Sequence, residues 1–450
     1  MTETTPRSAP LAAALLHAAE LLSTVIAGRT LDAALAEARL SGPLRAATMD
    51  LAYSALRRYG RDDFLLAQLV QRPLSDPSVR SLLLVALARL ENRPEDAHIT
   101  VDQAVTAAAS LAGGNFKGLV NGVLRNFLRR RDELLALADA NPVAHGQHPA
   151  WWIKRLQQDH PQHWRAILAA GNSHPPMTLR VNHRRIAIRN GEESVFSSTA
   201  LLRSGFISAD FLTRLAAAGI AAHPAGDAAF ILEKPMPVER IPGFAEGLCS
   251  VQDAGAQRAA YLLDVHAGQR VLDACAAPGG KAAHLLELHD DMELLALDVE
   301  PVRAARISEN FVRLGLASQR AVVKVGDAGT PETWWDGQLF DRILADVPCT
   351  ASGVVRRHPD AKWLRQPADI KRFAATQARI LDALWRTLSP GGKMLYATCS
   401  VFAAENEDQV TAFASRHVDA LRLTIAGAPH LQLMPNAEHD GFFYALLQKT

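Results

Sequence analysis

The stretch Asp273–Lys281 reads DACAAPGGK, and it decides the fold. It follows the short run Arg270–Leu272, which predicts a strand, and it opens a helical pattern that extends to about His289. Gly279 and Gly280 let the backbone approach a ligand closely and leave amide groups at the start of a helix. The stretch has neither the GxGxxG spacing of dinucleotide sites nor the GxxxxGK[ST] spacing of nucleoside triphosphate sites, so both functions are disfavoured.

Downstream of this turn, predicted strands and helices alternate. The predicted strands are Glu293–Leu297, Ala321–Val325, Arg342–Ala345 and Lys393–Ala397, and the predicted helices are Val302–Leu314 and Ile370–Leu388. This alternation predicts a doubly wound, mostly parallel sheet. Ligands bind such sheets at the carboxyl ends of the strands, so the residues that end each strand are the candidates for function.

Acidic residues end two of these strands. Asp298 ends the strand after the glycine turn, where a carboxylate can accept hydrogen bonds from the hydroxyls of an adenosyl ribose. Asp327 ends the next strand and would reach the adenine edge of the same ligand. Taken alone, each would also suit a helix cap or a turn. The spacing of Asp298 from the glycine turn favours a ligand.

Two cysteines follow the next two strands. Cys349 ends the segment Asp346-Val347-Pro348-Cys349, and Cys399 lies in Thr398-Cys399-Ser400. A thiolate is a natural nucleophile for an electron-poor ring, and both cysteines are expected at one edge of the sheet. Their chemistry alone does not choose between them. The other two cysteines, Cys249 and Cys275, are expected to serve packing, and no CxxC spacing indicates a metal.

Residues 1–140 show helical spacing of Ala and Leu almost throughout, which predicts an all-helical domain. We interpret Leu11–Leu22 as an amphipathic helix and not as a signal peptide, because His17 and Glu20 interrupt it. Residues 141–245 predict a linker helix and a small α+β subdomain, in which the polar stretch 184–210 is a candidate surface insertion. Two arginine clusters are candidate phosphate contacts: Arg57, Arg58 and Arg61, and Arg125, Arg129, Arg130 and Arg131.

The composition is that of a globular protein with several domains. The 450 residues are 48% hydrophobic and 21% charged, and 48 basic residues balance 47 acidic residues. No global field therefore draws the chain onto nucleic acid, and any such site must be local. Four cysteines do not make a disulfide scaffold, and no apolar run is long enough for a membrane span. We expect a cytoplasmic protein with reduced thiols and no membrane partner.

The motifs DACAAPGGK, ADVPC and ATCS, in this order, resemble those of RNA cytosine-5 methyltransferases that use S-adenosylmethionine. The segment Leu119–Asn126 resembles the helical domain related to the NusB antitermination factor. Four further segments also fit: Leu179–Asn182, Val251–Ala254, Arg356–Asp360 and Asp440–Ala445. Nearly the whole chain is thus similar to the Fmu/Sun group of bacterial 16S ribosomal RNA methyltransferases, although the stretch 184–210 is longer than the family pattern.

The resemblance implies three domains and a cofactor. These are an all-α NusB-like RNA-binding domain over 1–140, a linker helix and small α+β subdomain over 141–245, and an α/β Rossmann-like class I methyltransferase domain over 246–450. The cofactor would be S-adenosylmethionine, and no metal is needed. The implied cofactor-binding residues are Cys275, Ala276, Ala277, Pro278, Gly279, Gly280, Lys281, Asp298, Asp327 and Asp346.

The resemblance also implies catalytic roles. It assigns attack on C6 of cytosine to Cys399, the later elimination to Cys349, and hydrogen bonding of the base edge to Asp346. Lys281 either neutralises Asp346 or contacts an RNA phosphate, and both remain open at this point. The basic residues of the helical domain, together with Arg356, Arg357 and Lys362, are candidate RNA contacts as a group.

The leading hypothesis is a monomeric enzyme that methylates C5 of a cytosine in 16S ribosomal RNA. A transfer RNA substrate would keep the same chemistry, and the helical N-terminal domain weakly disfavours it. An RNA-binding assembly or antitermination factor without turnover would have no need of Asp346, Cys349 and Cys399. A dinucleotide oxidoreductase is the least favoured alternative, because the GxGxxG spacing is absent.

Overall fold

The chain forms two compact units. The computed structural model describes residues 10–189, 200–289 and 291–450. The first unit contains the described residues up to His174 together with the later segment Val355–Pro367, and the second contains Pro175–Val354 and Ala368–Thr450. The sequence predicts three domains, with boundaries after residues 140 and 245. The two compact units divide the chain at other positions, so these boundaries stay a prediction.

The first unit is helical, as expected. Its helices before His174 are α1 (Leu11–Ile26), α2 (Leu31–Ala38), α3 (Gly42–Leu69), α4 (Pro77–Asn92), α5 (Ala97–Ala108), α6 (Lys117–Arg129), α7 (Arg131–Ala140), α8 (Pro142–Gly146), α9 (Ala150–Asp159) and α10 (Trp164–Asn172). Helix α4 is apolar on nearly every side, and residues 82–87 are all 0% exposed. A helix that is apolar all round belongs in a core, and α1, α3 and α5 pack against α4. The predicted amphipathic helix is α1, which buries Leu15, Leu22 and Val25.

The first arginine cluster is used inside this unit. Arg58 and Arg61 both pair with Glu91, at 2.6 and 3.0 Å, and Arg61 also binds Asp139 at 2.7 Å. Arg57 donates to the carbonyl oxygen of Arg356 at 3.0 Å. The expectation that this cluster contacts phosphate is therefore wrong, because its guanidinium groups stabilise the packing of helices instead. In the second cluster, Arg125 and Arg129 are exposed.

The second unit begins with a small antiparallel sheet. Its strands are β1 (Met177–Val181), β2 (Ala222–Pro224), β3 (Ala229–Leu232) and β4 (Cys249–Val251), in the order β2-β3-β1-β4, and helices α11 (His183–Arg189) and α12 (Ala200–Ala217) belong to the same region. This is the predicted small α+β subdomain, with its own core around Phe211 and Phe230. The predicted surface insertion 184–210 lies partly outside the described residues.

The rest of the second unit is built on a large mixed sheet. Its strands are β5 (Arg270–Ala274), β6 (Glu293–Asp298), β7 (Ala321–Val325), β8 (Phe340–Asp346), β9 (Leu388–Thr398), β10 (Ala420–Leu423), β11 (Leu431–Leu433) and β12 (Phe442–Lys449). Its helices are α13 (Ala254–Leu262), α14 (Gly280–Leu288), α15 (Pro301–Leu314), α17 (Pro367–Trp385) and α18 (Glu407–Arg416), whereas α16 (Ala361–Leu364) lies between β8 and α17 in the chain and belongs to the first unit. The order is β10-β12-β9-β8-β5-β6-β7, with β11 beside β12. The five strands from β7 to β9 are parallel, as predicted.

The sheet differs from the prediction at its β9 side. The predicted helix Ile370–Leu388 ends at Trp385, and the predicted strand Lys393–Ala397 already begins at Leu388. Pro390 cannot continue a helix, and the residues after Leu388 form an irregularity before the regular pairing with β8 resumes at Lys393. The antiparallel strands β10, β11 and β12 were not predicted.

A buried arginine connects the small sheet to helix α14. Arg180 is 0% exposed and binds both carboxylate oxygens of Glu287, at 2.7 and 2.8 Å. Its remaining nitrogen donates to the carbonyl oxygen of Gly280 at 2.7 Å and to Gln252 at 2.5 Å. Because Gly280 belongs to the glycine turn, Arg180 holds the start of α14 in place.

We expect Arg180→Met to lower the free energy of unfolding by about 3–5 kcal/mol, because it leaves the Glu287 carboxylate buried without its partner. Chemical denaturation followed by tryptophan fluorescence measures this change. The double variant Arg180→Met, Glu287→Leu should recover most of the loss, since it removes both charges. Arg214→Met, which breaks an exposed pair with Asp210, is the control and should change stability by less than about 0.5 kcal/mol. Equal losses of stability in Arg180→Met and Arg214→Met would contradict the explanation by a buried ion pair.

The segment Val355–Pro367, which carries α16, belongs to the helical unit although it follows β8 in the chain. Lys362 in this segment is 0% exposed, and its ammonium group donates to the carbonyl oxygens of Arg57 and Gln147 and to Oδ1 of Asn172, at 2.9–3.1 Å. Arg356 is 1% exposed. The expectation that Lys362 and Arg356 contact RNA is therefore wrong, because both side chains are buried and the ammonium group of Lys362 is bound within the first unit.

Candidate active site

The candidate site lies at the carboxyl ends of the parallel strands in the second unit. The chain runs outward from β5 through β6 to β7, and then returns to the other side of β5 with β8 and β9. The strand order therefore reverses between β5 and β8. Such a reversal opens a crevice at the carboxyl ends of the strands, where doubly wound folds bind their ligands.

The glycine turn after β5 is shaped by backbone conformation. Gly279 has φ +96°, and a Cβ atom there would lie 3.1 Å from the Cα atom of Ile307. A side chain would thus be strained and crowded, which explains the glycine at this position. The amide of Ala277 donates to Oδ2 of Asp298 at 3.0 Å, and the amide of Glu300 donates to Oδ1 at 3.1 Å. Asp298 therefore ties the turn to the end of β6.

The turn is surrounded by carboxylates. Burial raises the pKa of the Cys275 thiol, and the nearby carboxylates of Asp346, Asp298, Asp273 and Asp327 raise it further. Cys275 is consequently an inert thiol, in keeping with the packing role expected for it. These acidic side chains offer hydrogen-bond acceptors around the turn, and burial raises the pKa of Asp273 well above its usual value.

Asp327 follows β7 and is held by an ion pair. Its two oxygens accept from Arg379 of α17 at 2.9 and 3.2 Å, and the amide of Gly329 donates to Oδ1 at 2.8 Å. Partial burial raises the pKa of Asp327, but the hydrogen bonds from Arg379 and Gly329 outweigh burial and lower it below its usual value. Arg379 was not singled out in the sequence, since it lies inside a helical pattern without any motif.

Lys281 is directed at Asp346. The distance from its Nζ atom to Oδ2 of Asp346 is 2.6 Å, which is the contact that the first of the two roles left open by the sequence requires. Burial lowers the pKa of Lys281, but the charge of Asp346 and its hydrogen bond, with a contribution from Cys399, raise it above its usual value. The lysine thus remains a cation beside the end of β8.

The two strand-end cysteines form a close pair. Cys349 follows β8 and Cys399 follows β9, and their Sγ atoms are 3.4 Å apart. Cys349 is only 8% exposed, whereas Cys399 is partly exposed. The hydrogen bond with Cys399, together with burial, raises the pKa of Cys349 well above its usual value. Burial and the contact with Cys399 therefore favour the protonated form of Cys349, and a hydrogen bond joins the two sulfur atoms.

Two residues that belong to no recognisable motif contact the chain next to Cys349. Glu405 and Gln377 are both 0% exposed, and Gln377 donates to the carbonyl oxygen of Pro348 at 3.0 Å. The doublets Cys-Thr and Cys-Ser in the sequence offered a weak signal for such a support, because each cysteine is followed by a hydroxyl side chain.

In the described part of the chain, no group of three or more His, Cys, Asp or Glu residues is arranged to hold a metal. None of its helices is both long and apolar enough to span a membrane.

Relatives with known names match almost the whole chain. The ribosomal RNA small subunit methyltransferase B of Pectobacterium carotovorum is 39% identical to it, with 90% of this chain and 91% of the relative covered. The protein of the same name from Vibrio cholerae is 40% identical, with 96% of each chain covered. The chain belongs to the ribosomal RNA small subunit methyltransferase B family.

Family models match each part of this methyltransferase. The 16S rRNA methyltransferase RsmB/F model matches residues 260–448, the RsmF/B-like ferredoxin-like domain matches 148–190, and the NusB family matches 11–129. The crystal structure of PH0851 has the same fold, with a TM-score of 0.76, 22% identity and 100% of both chains covered. The predicted NusB-like helical domain and Rossmann-like methyltransferase domain are thereby confirmed.

Proposed function

We propose that this methyltransferase transfers a methyl group from S-adenosylmethionine to C5 of one cytosine in 16S ribosomal RNA, through a covalent adduct between Cys399 and C6 of the base. Membership of the family implies methylation of ribosomal RNA with a cofactor of this type. The observation that carries the finer proposal is the pair of thiols 3.4 Å apart, beside Asp346, at the ends of adjacent strands. A methyltransferase that acts on an exocyclic amine or a hydroxyl has no use for two such thiols.

The residues around the glycine turn fit the proposed cofactor. S-adenosylmethionine supplies an electrophilic methyl group on a positively charged sulfur, and it also carries an ammonium group. The carboxylates of Asp298, Asp327 and Asp346 lie around the turn and offer acceptors for the hydroxyl and ammonium groups of such a ligand. Residues 275–281 and Asp346 would hold the methionine part, Asp298 the ribose and Asp327 the adenine.

Covalent addition overcomes the low reactivity of the base. C5 of cytosine is a poor nucleophile, but addition of a thiolate at C6 makes C5 enamine-like and splits one difficult step into easier ones. Cys399 suits this attack because it is the more exposed thiol and lies near the Lys281 cation. A nearby cation favours a cysteine as a nucleophile.

Asp346 and Cys349 would complete the cycle. Asp346 is hydrogen-bonded by Lys281 through Oδ2 and would bind the N3/N4 edge of the base, which stabilises charge on the ring during addition. After methylation, the proton on C5 must leave and the bond from Cys399 to C6 must break. Cys349 would assist this elimination. The target base must leave its stack to reach thiols that are buried or only partly exposed.

The test is a methyl-transfer assay with labelled S-adenosylmethionine and 16S ribosomal RNA that lacks the modification, followed by mapping of the labelled base. One cytosine labelled at C5 is the expected result. If only transfer RNA were labelled, the proposed reaction would stand, and its substrate would be transfer RNA instead of 16S ribosomal RNA. Label on another atom of the base, or none on either RNA while the cofactor still binds, would overturn the proposal.

The role proposed for Asp298 gives a quantitative expectation. Asp298→Ala should weaken binding of S-adenosylmethionine by about 10- to 100-fold, because a hydrogen bond to a charged group is worth about 1.5–3 kcal/mol. Isothermal titration calorimetry measures the dissociation constant. Asp336→Ala, which removes an exposed partner of Arg270 at the start of β5, is the control and should leave the affinity unchanged. Unchanged affinity in both variants would remove Asp298 from the cofactor site.

A further inference from the structure

Glu405 lies beneath the two cysteine loops and contacts both. The residue after Cys349 is Thr350, whose amide donates to Oε1 of Glu405 at 2.8 Å and whose hydroxyl donates to Oε2 at 2.5 Å. The residue after Cys399 is Ser400, whose hydroxyl donates to the same Oε2 at 2.6 Å. One carboxylate therefore binds the neighbour of each thiol, and it links the end of β8 to the end of β9.

Glu405 and Gln377 are themselves held in place by buried neighbours. The hydroxyl of Tyr396, on β9, donates to the backbone carbonyl of Glu405 at 2.6 Å and also lies 3.2 Å from Oε1 of Gln377. Gln377, on α17, donates to the carbonyl oxygen of Pro348, the residue before Cys349. The Cys349 loop is thus fixed on both sides of the cysteine, and Tyr396, Gln377 and Glu405 are all buried.

Burial of the Glu405 carboxylate is energetically unfavourable, and packing alone does not explain why a carboxylate lies at this position. Burial raises the pKa of Glu405, and hydrogen bonds from Ser400, Thr350 and Gln377 oppose that rise. Its partners are neutral, and no cation pairs with it in the described part of the chain. A buried carboxylate without a counter-ion is unfavourable unless several donors converge on it, and here the donors come from the two cysteine loops.

We infer that Glu405 is a positioning residue that sets the separation of Cys349 and Cys399. Its effect on turnover rests on the proposed cytosine-5 chemistry, in which both thiols must reach the same base. Its effect on the separation of the sulfur atoms rests on the hydrogen bonds alone. When Glu405 is removed, the Cys349 loop and the Cys399 loop lose their common acceptor and can move independently.

Thiol cross-linking measures this separation without RNA or cofactor. Diamide oxidises two neighbouring thiols to a disulfide: two S–H bonds break, one S–S bond forms, and diamide takes up the two electrons and two protons. Peptide mapping by mass spectrometry reports the rate for Cys349 and Cys399 in the full-length protein. We expect the Glu405→Ala variant to cross-link at least about tenfold more slowly and to lose about 10- to 100-fold in kcat, because a misplacement of about 1 Å has such effects. Its KM for S-adenosylmethionine should stay unchanged.

Two further variants separate positioning from general destabilisation. Glu405→Gln keeps an acceptor for the Thr350 amide and can donate to both hydroxyls, so it should restore most of the cross-linking rate and of kcat. Glu407→Ala removes the ion pairs of Glu407 with Arg422 and His430 two positions along the chain, and should leave both quantities unchanged. If Glu405→Ala does not fold, Thr350→Val removes one donor and should still slow cross-linking.

The outcomes distinguish this inference from the proposed function. Cross-linking at the wild-type rate in folded Glu405→Ala, or in Thr350→Val where the alanine variant does not fold, overturns the positioning role, whatever RNA the enzyme methylates. Slow cross-linking in a protein whose wild type does not methylate cytosine at C5 supports the positioning role and discards the proposed function. A kcat that falls while the cross-linking rate is unchanged assigns Glu405 to a different role and also overturns the inference.

Discussion

The Cys399→Ser variant is expected to lose turnover by about 10⁴-fold or more, which is the scale of loss when a covalent nucleophile is removed. Serine at this position lies in the same surroundings, but a hydroxyl is far less acidic and less nucleophilic than a thiol, and here the thiol lies beside Lys281 and Cys349. No covalent complex with RNA should form. The measurements are transfer of labelled methyl groups and a gel shift that resists detergent.

Cys249→Ala is the matched control for this variant. Cys249 is a buried thiol on β4, and burial raises its pKa to about 12, so it contributes no nucleophile. Its replacement should leave kcat within about threefold of the wild type, because a small apolar side chain is retained at a packing position. Turnover by Cys399→Ser at the wild-type rate would remove Cys399 from the mechanism.

The Cys349→Ala variant should behave in the opposite way and accumulate RNA bound to the protein. Cys399 still adds to the base, since the attack does not require the second thiol, but the elimination that frees the product stalls. A stable complex that contains both protein and labelled methyl groups is the expected result, and multiple turnovers should fall by at least about 100-fold, the lower end of the range for loss of an acid–base group. Gel electrophoresis in detergent, with and without ribonuclease, detects the complex.

The double variant Cys349→Ala, Cys399→Ser is the control, and it should form no complex. A complex that survives in this double variant would come from another nucleophile. If Cys399→Ser trapped RNA and Cys349→Ala turned over normally, the roles of the two cysteines would be reversed. The structure favours the stated order, because Cys349 has the raised pKa and the smaller exposure.

The sequence predicted the parallel part of the sheet well, because each strand there is a short apolar run followed by a turn and a helix. Cys349 and Cys399 could be placed at the carboxyl ends of two strands of one sheet for the same reason, and their sulfur atoms lie 3.4 Å apart. Strand β12 was missed, because an antiparallel strand lacks the strand–turn–helix pattern that marked the parallel strands. The helix boundary at Trp385 was missed because the apolar pattern continues beyond it to Leu388.

The supporting contacts of the site were beyond the reach of sequence patterns. Glu405 and Arg379 are ordinary residues of polar or helical segments, and only the fold brings them to Ser400 and Asp327. Lys362 shows the opposite error, since a lysine in a basic segment suggests a nucleic-acid contact, whereas its ammonium group is buried among carbonyl oxygens. Charge in a sequence indicates which groups need a partner, but the tertiary structure determines whether that partner is RNA or the protein itself.

The segment Val355–Pro367 makes the helical unit discontinuous in sequence, and this limits how the protein can be divided or recombined. A cut after His174 would separate Lys362 from all three of its acceptors, on Arg57, Gln147 and Asn172, and would leave Trp363 without the Leu56 carbonyl to which its indole nitrogen donates. The residues up to His174 therefore do not make up the complete helical unit. A chimera that exchanges the N-terminal domain between relatives would also have to exchange these thirteen residues. Without them, the core of the exchanged domain would be incomplete.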